Sequence, residues 1–151
     1  MERLVAPIET FNEWTRRLWR SPEEEALQAV DEVLRNPNAF PGAGRSYPTM
    51  LMYLRDPRRF AVWLQACHQG LVAISDYDEP KGRTGGVDRY LRYCAAVRQF
   101  AERWGLHPQE IDAVLVAAAR AAATTKDVIA RREEVGSEGD SGEVVVDPRK
   151  L

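Results

Sequence analysis

Val87-Asp88-Arg89-Tyr90-Leu91-Arg92-Tyr93-Cys94-Ala95-Ala96-Val97-Arg98-Gln99-Phe100-Ala101-Glu102-Arg103-Trp104 is the stretch on which the fold turns. Val87, Tyr90, Leu91, Cys94, Val97, Ala101 and Trp104 recur at intervals of three and four, the spacing that aligns side chains on one face of an α-helix. Arg89, Arg92, Arg98 and Arg103 fall off that face, where water can hydrate them. Gly105 follows at once, and a glycine just past the last turn is a natural helix stop. No stretch alternates convincingly with period two. The expected fold class is therefore all-α, a compact bundle of five to seven helices.

Working upstream, residues 75–86 form the longest polar interior loop, a length often associated with function. Before it, Asp56-Pro57 is a cap-plus-proline signal. It predicts a fourth helix carrying Phe60, Trp63, Leu64, Cys67, Leu71 and Ile74, with Gly70 as a place where that helix can break. Tyr47-Pro48-Thr49 opens a short third helix whose apolar residues are Met50, Leu51, Tyr53 and Leu54. Phe40–Arg45 is a loop by composition. Ser21-Pro22-Glu23-Glu24-Glu25 predicts the start of the second helix, with Ser21 as cap and Glu24 at capping-box spacing. Asn36-Pro37-Asn38 ends it. A first helix is expected from Ile8 to Trp19, with Ile8, Phe11, Trp14, Thr15 and Leu18 as its stripe.

Downstream, His107-Pro108-Gln109-Glu110 starts the last helical stretch. Ile111, Val114, Leu115 and Ala118 begin its stripe, and Ala117–Ala123 is nearly all alanine. Thr124-Thr125-Lys126-Asp127 is expected to cap a separate short helix ending near Glu133. The predicted organisation is one domain over 1–133 and a disordered acidic tail over 134–151, where Gly, Ser, Glu and Asp dominate.

Bulk properties narrow the class. At 151 residues and 44% apolar content, the chain is long enough for one sizeable core. No apolar run approaches the roughly 18 residues that span a bilayer. Met1–Pro7 has no charged-then-apolar leader pattern. The expectation is a cytoplasmic protein without membrane association. Cys67 and Cys94 both lie on apolar helix faces and read as buried thiols. Charge is unevenly spread. Residues 133–151 carry six acids against Arg149 and Lys150, a net of −4 within an overall −2. Between Arg35 and Ser75 the bases are Arg35, Arg45, Arg55, Arg58 and Arg59, against Asp56 alone. A basic middle permits contact with nucleic acid or an acidic partner.

Chemistry-bearing patterns are sparse. His68 and His107 have no set of metal ligands at workable spacing, and no cofactor is implied. His68 with Cys94, or with Ser75, lacks any nucleophile signature. Asp76, Asp78 and Glu79 read as a solvated acidic loop. Lys81-Gly82-Arg83-Thr84-Gly85-Gly86 lacks phosphate-loop spacing and a preceding strand, although glycines ahead of a helix can nest a phosphate.

One resemblance gives a direction. Tyr47-Pro48-Thr49-Met50-Leu51-Met52-Tyr53-Leu54-Arg55-Asp56-Pro57-Arg58-Arg59-Phe60 has the pattern of a helix followed by Asp-Pro-x-x-Phe. Val87-Asp88-Arg89-Tyr90-Leu91 and Phe100–Asp112 look like its second half. Over about residues 46–116 these resemble the helical accessory domain of McrB-like modification-dependent restriction ATPases. More distantly, they resemble the helical domain of helix-hairpin-helix DNA glycosylases. Leu64 stands where related domains often carry Asp. The chain has no Walker motif, glycine-rich hairpin or catalytic Lys–Asp arrangement, so neither ATPase nor glycosylase activity follows.

The resemblance and the basic middle together imply a non-catalytic helical binding module of a bacterial defence or DNA-transaction system. It would contact DNA or RNA, or a separate ATPase or nuclease subunit. The candidate contacts are Arg45, Arg55, Arg58, Arg59, Lys81 and Arg83. Two alternatives stand beside it. One is a protein–protein adaptor using the acidic tail and the Ala-rich helix. The other is a small enzyme built from His68, Asp76 and the 75–86 loop.

Overall fold

The computed structural model describes residues 7–75, 77, 79 and 85–137. Within them every α-helix belongs to one series: α1 (Ile8–Arg20), α2 (Glu23–Arg35), α3 (Ser46–Arg55), α4 (Gln65–Ile74), α5 (Gly86–Trp104) and α6 (Pro108–Ser137). A single 3-10 turn, Pro37–Ala39, follows α2. The described residues contain no strand, so the all-α expectation holds. None of the described helices is long and apolar enough to cross a membrane. The expected acidic tail lies outside the described residues from 138 onward.

The core forms where stripes from all six helices meet. Trp14 and Leu18 of α1, Val30 and Val33 of α2, Met52 of α3, Cys67 and Leu71 of α4, and Leu115 of α6 are all buried. α5 adds Tyr90, Tyr93, Cys94, Val97, Phe100 and Ala101. Trp104 continues the α5 stripe into its final turn but is 65% exposed, because no described element covers that end. Gly105 adopts φ 61°, the left-handed conformation that closes the helix as its position predicts.

Four local expectations change. Ser21 does not cap α2. Pro22 takes the cap position with no side-chain bond, and the Ser21 carbonyl instead accepts from the Arg55 guanidinium at 2.9 Å. Asp56-Pro57 does not open a long helix. Its carboxylate accepts Arg58 N–H at 3.1 Å and closes one turn, after which Phe60–Leu64 runs as irregular chain until α4 begins at Gln65. Thr124 and Thr125 do not start a new helix. Their hydroxyls donate back to the carbonyls of Arg120 and Ala121, 3.0 Å in each case, and α6 continues unbroken. Gly70 does not break α4. It is the point where α4 lies directly on α6, and a methyl group there would stand 1.9 Å from the Leu115 carbonyl oxygen.

The start of α5 is fixed from another helix. Asp31 of α2 accepts Val87 N–H at 2.8 Å and also holds Arg35 at 2.6 Å. A carboxylate at a helix N-terminus satisfies a donor that has no intrahelical partner and complements the dipole. The α2–α5 packing thus carries its own cap.

Gly70→Ala should lower stability by about 1–3 kcal/mol through overpacking against α6. A drop in urea midpoint with unchanged slope checks this; an unchanged midpoint would show that α4 and α6 separate freely.

Candidate binding groove

Residues 61–63 lack helical partners, so their polar backbone groups need side-chain ones. Ala61 N–H donates to Cys94 Sγ at 3.4 Å, and Tyr90 O–H donates to the Ala61 carbonyl at 3.0 Å. Tyr93 O–H donates to the Val62 carbonyl at 3.3 Å. Trp63 N–H donates to Thr49 Oγ1 at 3.0 Å, while the Thr49 hydroxyl donates to the Arg45 carbonyl at 2.8 Å. Four side chains from α3 and α5 therefore hold this strap. Its aromatics extend the grip: Phe60, Tyr90, Trp63 and Tyr93 stack in sequence with ring centroids 5.6–6.3 Å apart.

Burial pushes the phenols of Tyr90 and Tyr93 upward, so both stay protonated donors. It also raises the Cys94 thiol. Cys67 is pushed up to about 12 by burial, reinforced by Asp112. Both cysteines are free and buried, as their helix faces predict.

Outside the strap lies a groove of about 310 Å³, walled by the strap, α5 and the first turn of α6. Phe60, Val62, Val97, Ala101, Leu106 and Ile111 give it an apolar lining, and Arg58, Arg59 and Arg98 border it together with Glu102 and Asp112. Arg58 and Arg98 are exposed, and their guanidiniums make no hydrogen bond or ion pair among the described residues. Arg59 pairs with Glu23 at 2.7 Å and lies over the Phe60 ring.

The predicted contacts do not share one place. Arg58 and Arg59 border the groove. Arg45 is exposed and sits 5.5 Å from the Trp63 ring centroid. Arg55 donates to the carbonyls of Leu18 and Ser21 at 2.8 and 2.9 Å, tying the end of α1 to α3. Lys81 and Arg83 lie outside the described residues. Arg98 is the groove-bordering arginine that sequence reasoning missed. Spacing groups it with Arg89, Arg92 and Arg103 off the buried face and carries no sign that it borders a groove.

A second polar cluster surrounds His68, which is only 9% exposed. Its Nε2 lies 3.7 Å from Glu79, Glu79 also pairs with Arg89, and the Tyr77 ring meets the imidazole edge-on. The nucleophiles considered for His68 are engaged elsewhere: Ser75 Oγ donates to the Leu71 carbonyl, and Cys94 takes Ala61 N–H. Asp76 lies outside the described residues. Among the described residues no group of three or more His, Cys, Asp or Glu is placed to hold a metal.

Fold and site together define a helical bundle with an arginine-bordered apolar groove. No protein-family model, curated protein or solved structure matches the chain, so its function is argued from the groove's own chemistry.

Two outcomes are expected. Thr49→Val leaves the buried Trp63 N–H unsatisfied and should cost about 1–3 kcal/mol in chemical denaturation. Burial lowers the His68 pKa below its ordinary 6.5, opposed by Glu79 and reinforced by Arg89 and Arg45. The folded state then binds fewer protons than the unfolded one, so this contribution is present above pH 6.5 and is lost as pH falls below it. Between about pH 7.5 and about pH 5.5, wild type should lose more stability than His68→Gln. Equal losses would remove His68 from the acid response.

Proposed function

We propose that the protein is a non-catalytic helical binding module of a bacterial defence or DNA-transaction system that contacts nucleic-acid phosphates. The observation that carries this is the pair of exposed guanidiniums, Arg58 and Arg98, which border one groove without a partner among the described residues. An arginine fork matches the geometry of a phosphate and keeps its charge at every physiological pH. Arg59 adds a third guanidinium whose pair with Glu23 is solvent-exposed and therefore cheap to exchange for a phosphate contact. The McrB-like pattern over residues 47–60, 87–91 and 100–112 supports the same direction. A separate ATPase or nuclease subunit would supply the catalysis.

The adaptor alternative has one observation in its favour. Every α6 residue from Ala123 to Ala130 is exposed, including Val128 and Ile129. Apolar residues at the open end of a helix fit a protein partner.

Fluorescence anisotropy with labelled duplex and single-stranded oligonucleotides tests the leading proposal. Binding should weaken with salt, and replacing Arg58 and Arg98 together by Ala should make the log–log salt slope shallower by about two. Arg55→Ala should instead lower thermal stability, since its donors serve backbone carbonyls. Absence of binding at low salt would sink the nucleic-acid proposal and leave the adaptor.

A further inference from the structure

Phosphate contacts use only the border of the groove and leave its floor empty. That floor is concave and apolar, built from residues of the strap, α5 and the start of α6, and its volume of about 310 Å³ falls at the lower end of small-molecule sites. Of the guanidiniums at its edge, Arg59 pairs with Glu23, whereas those of Arg58 and Arg98 have no ion pair among the described residues; of the carboxylates, Asp112 already receives the Cys67 thiol at 3.7 Å. Arg58 and Arg98 come from different elements, the turn after α3 and the middle of α5, so they face the same opening from separate walls.

We propose that the groove is a binding site for a small amphipathic anion. An aliphatic or aromatic body would lie on the floor formed by Val62, Val97, Ala101 and Ile111, and a single carboxylate or phosphate would sit between Arg58 and Arg98. Burying the body removes apolar surface from water on both partners. The anionic head gives the two arginines charge-assisted hydrogen bonds that they lack among the described residues. A polar sugar or a neutral hydrocarbon would satisfy only one half of the site. This goes beyond phosphate contact along a nucleic acid, because it assigns a ligand to the floor.

Isothermal titration calorimetry of the full chain with four probes tests it: octanoate, octyl phosphate, octanol and inorganic phosphate. Octanoate or octyl phosphate should bind saturably with one site per chain, and the tighter of the two identifies the head group. Octanol and inorganic phosphate should each bind at least about tenfold more weakly. Arg98→Gln, on an exposed position, should weaken the amphipathic probe about tenfold. Ala101→Leu should fill the floor and abolish it, with circular dichroism confirming the fold. Octanol binding as tightly as octanoate, no saturable binding of either anion, or an unaffected Arg98→Gln each overturns the proposal; so does an unaffected folded Ala101→Leu. If Ala101→Leu unfolds, Arg98→Gln alone decides. The two proposals fail separately on the wild-type chain. Octanoate binding without oligonucleotide binding removes only the nucleic-acid proposal, and the reverse removes only this one.

Discussion

The strap from Ala61 to Trp63 is the constraint on which the rest of the structure depends. Buried chain without helical or sheet partners is costly unless each polar backbone group finds another. Here the partners are side chains: Thr49, Tyr90, Tyr93 and Cys94. These side chains come from α3 and α5, so satisfying the strap also fixes the distance and rotation between those helices. The tyrosines explain why α5 buries two polar aromatic residues at its centre. Their rings stack with Trp63 and Phe60 while their hydroxyls reach the carbonyls of the strap. The groove follows directly, since its inner wall is the outer face of this chain.

Two further contacts lock the bundle around the strap. Asp31 caps α5 from α2, a polar bond that depends on position along both helices. Gly70 lets α4 lie against the backbone of α6 at Leu115, a contact that depends on the absence of a side chain. One fixes where α5 begins, and the other fixes how deep α6 sits. Between them they set the two walls that face the strap across the groove.

Much of this was legible in the residues, for reasons that also explain what was not. The helices with long apolar periodicity, α1, α2 and α5, were readable because their stripes reach the core, although in α1 only Trp14 and Leu18 are buried while Ile8 and Phe11 stay exposed. Gly105 was readable because a positive φ has few alternatives to glycine. The segment after Asp56-Pro57 was misread because Phe60, Trp63 and Leu64 have helical spacing. What decides their conformation is Thr49 and the α5 tyrosines, distant in sequence. Gly70 had the same ambiguity: a glycine in a helix is a weakness locally and a close approach only when a second helix is present. Thr124 and Thr125 resemble a cap in sequence, yet their hydroxyls bond backward into the preceding turn. Of the site, Arg58 and Arg59 could be picked out from local charge. Arg98 could not, and Arg55 could not be recognised as a brace, because both facts depend on which backbone lies opposite.

The helix that begins at Pro108 has a mechanical consequence. At 30 residues it measures about 45 Å, against the roughly 30 Å diameter of a small domain. Its first turn walls the groove, Leu115 bears on Gly70 a little further along, and the residues from Ala123 to Ala130 are exposed. The Gly70–Leu115 contact therefore sets the direction of a rod far longer than the part that it touches, and the same contact that places the groove wall also aims the exposed turns of α6.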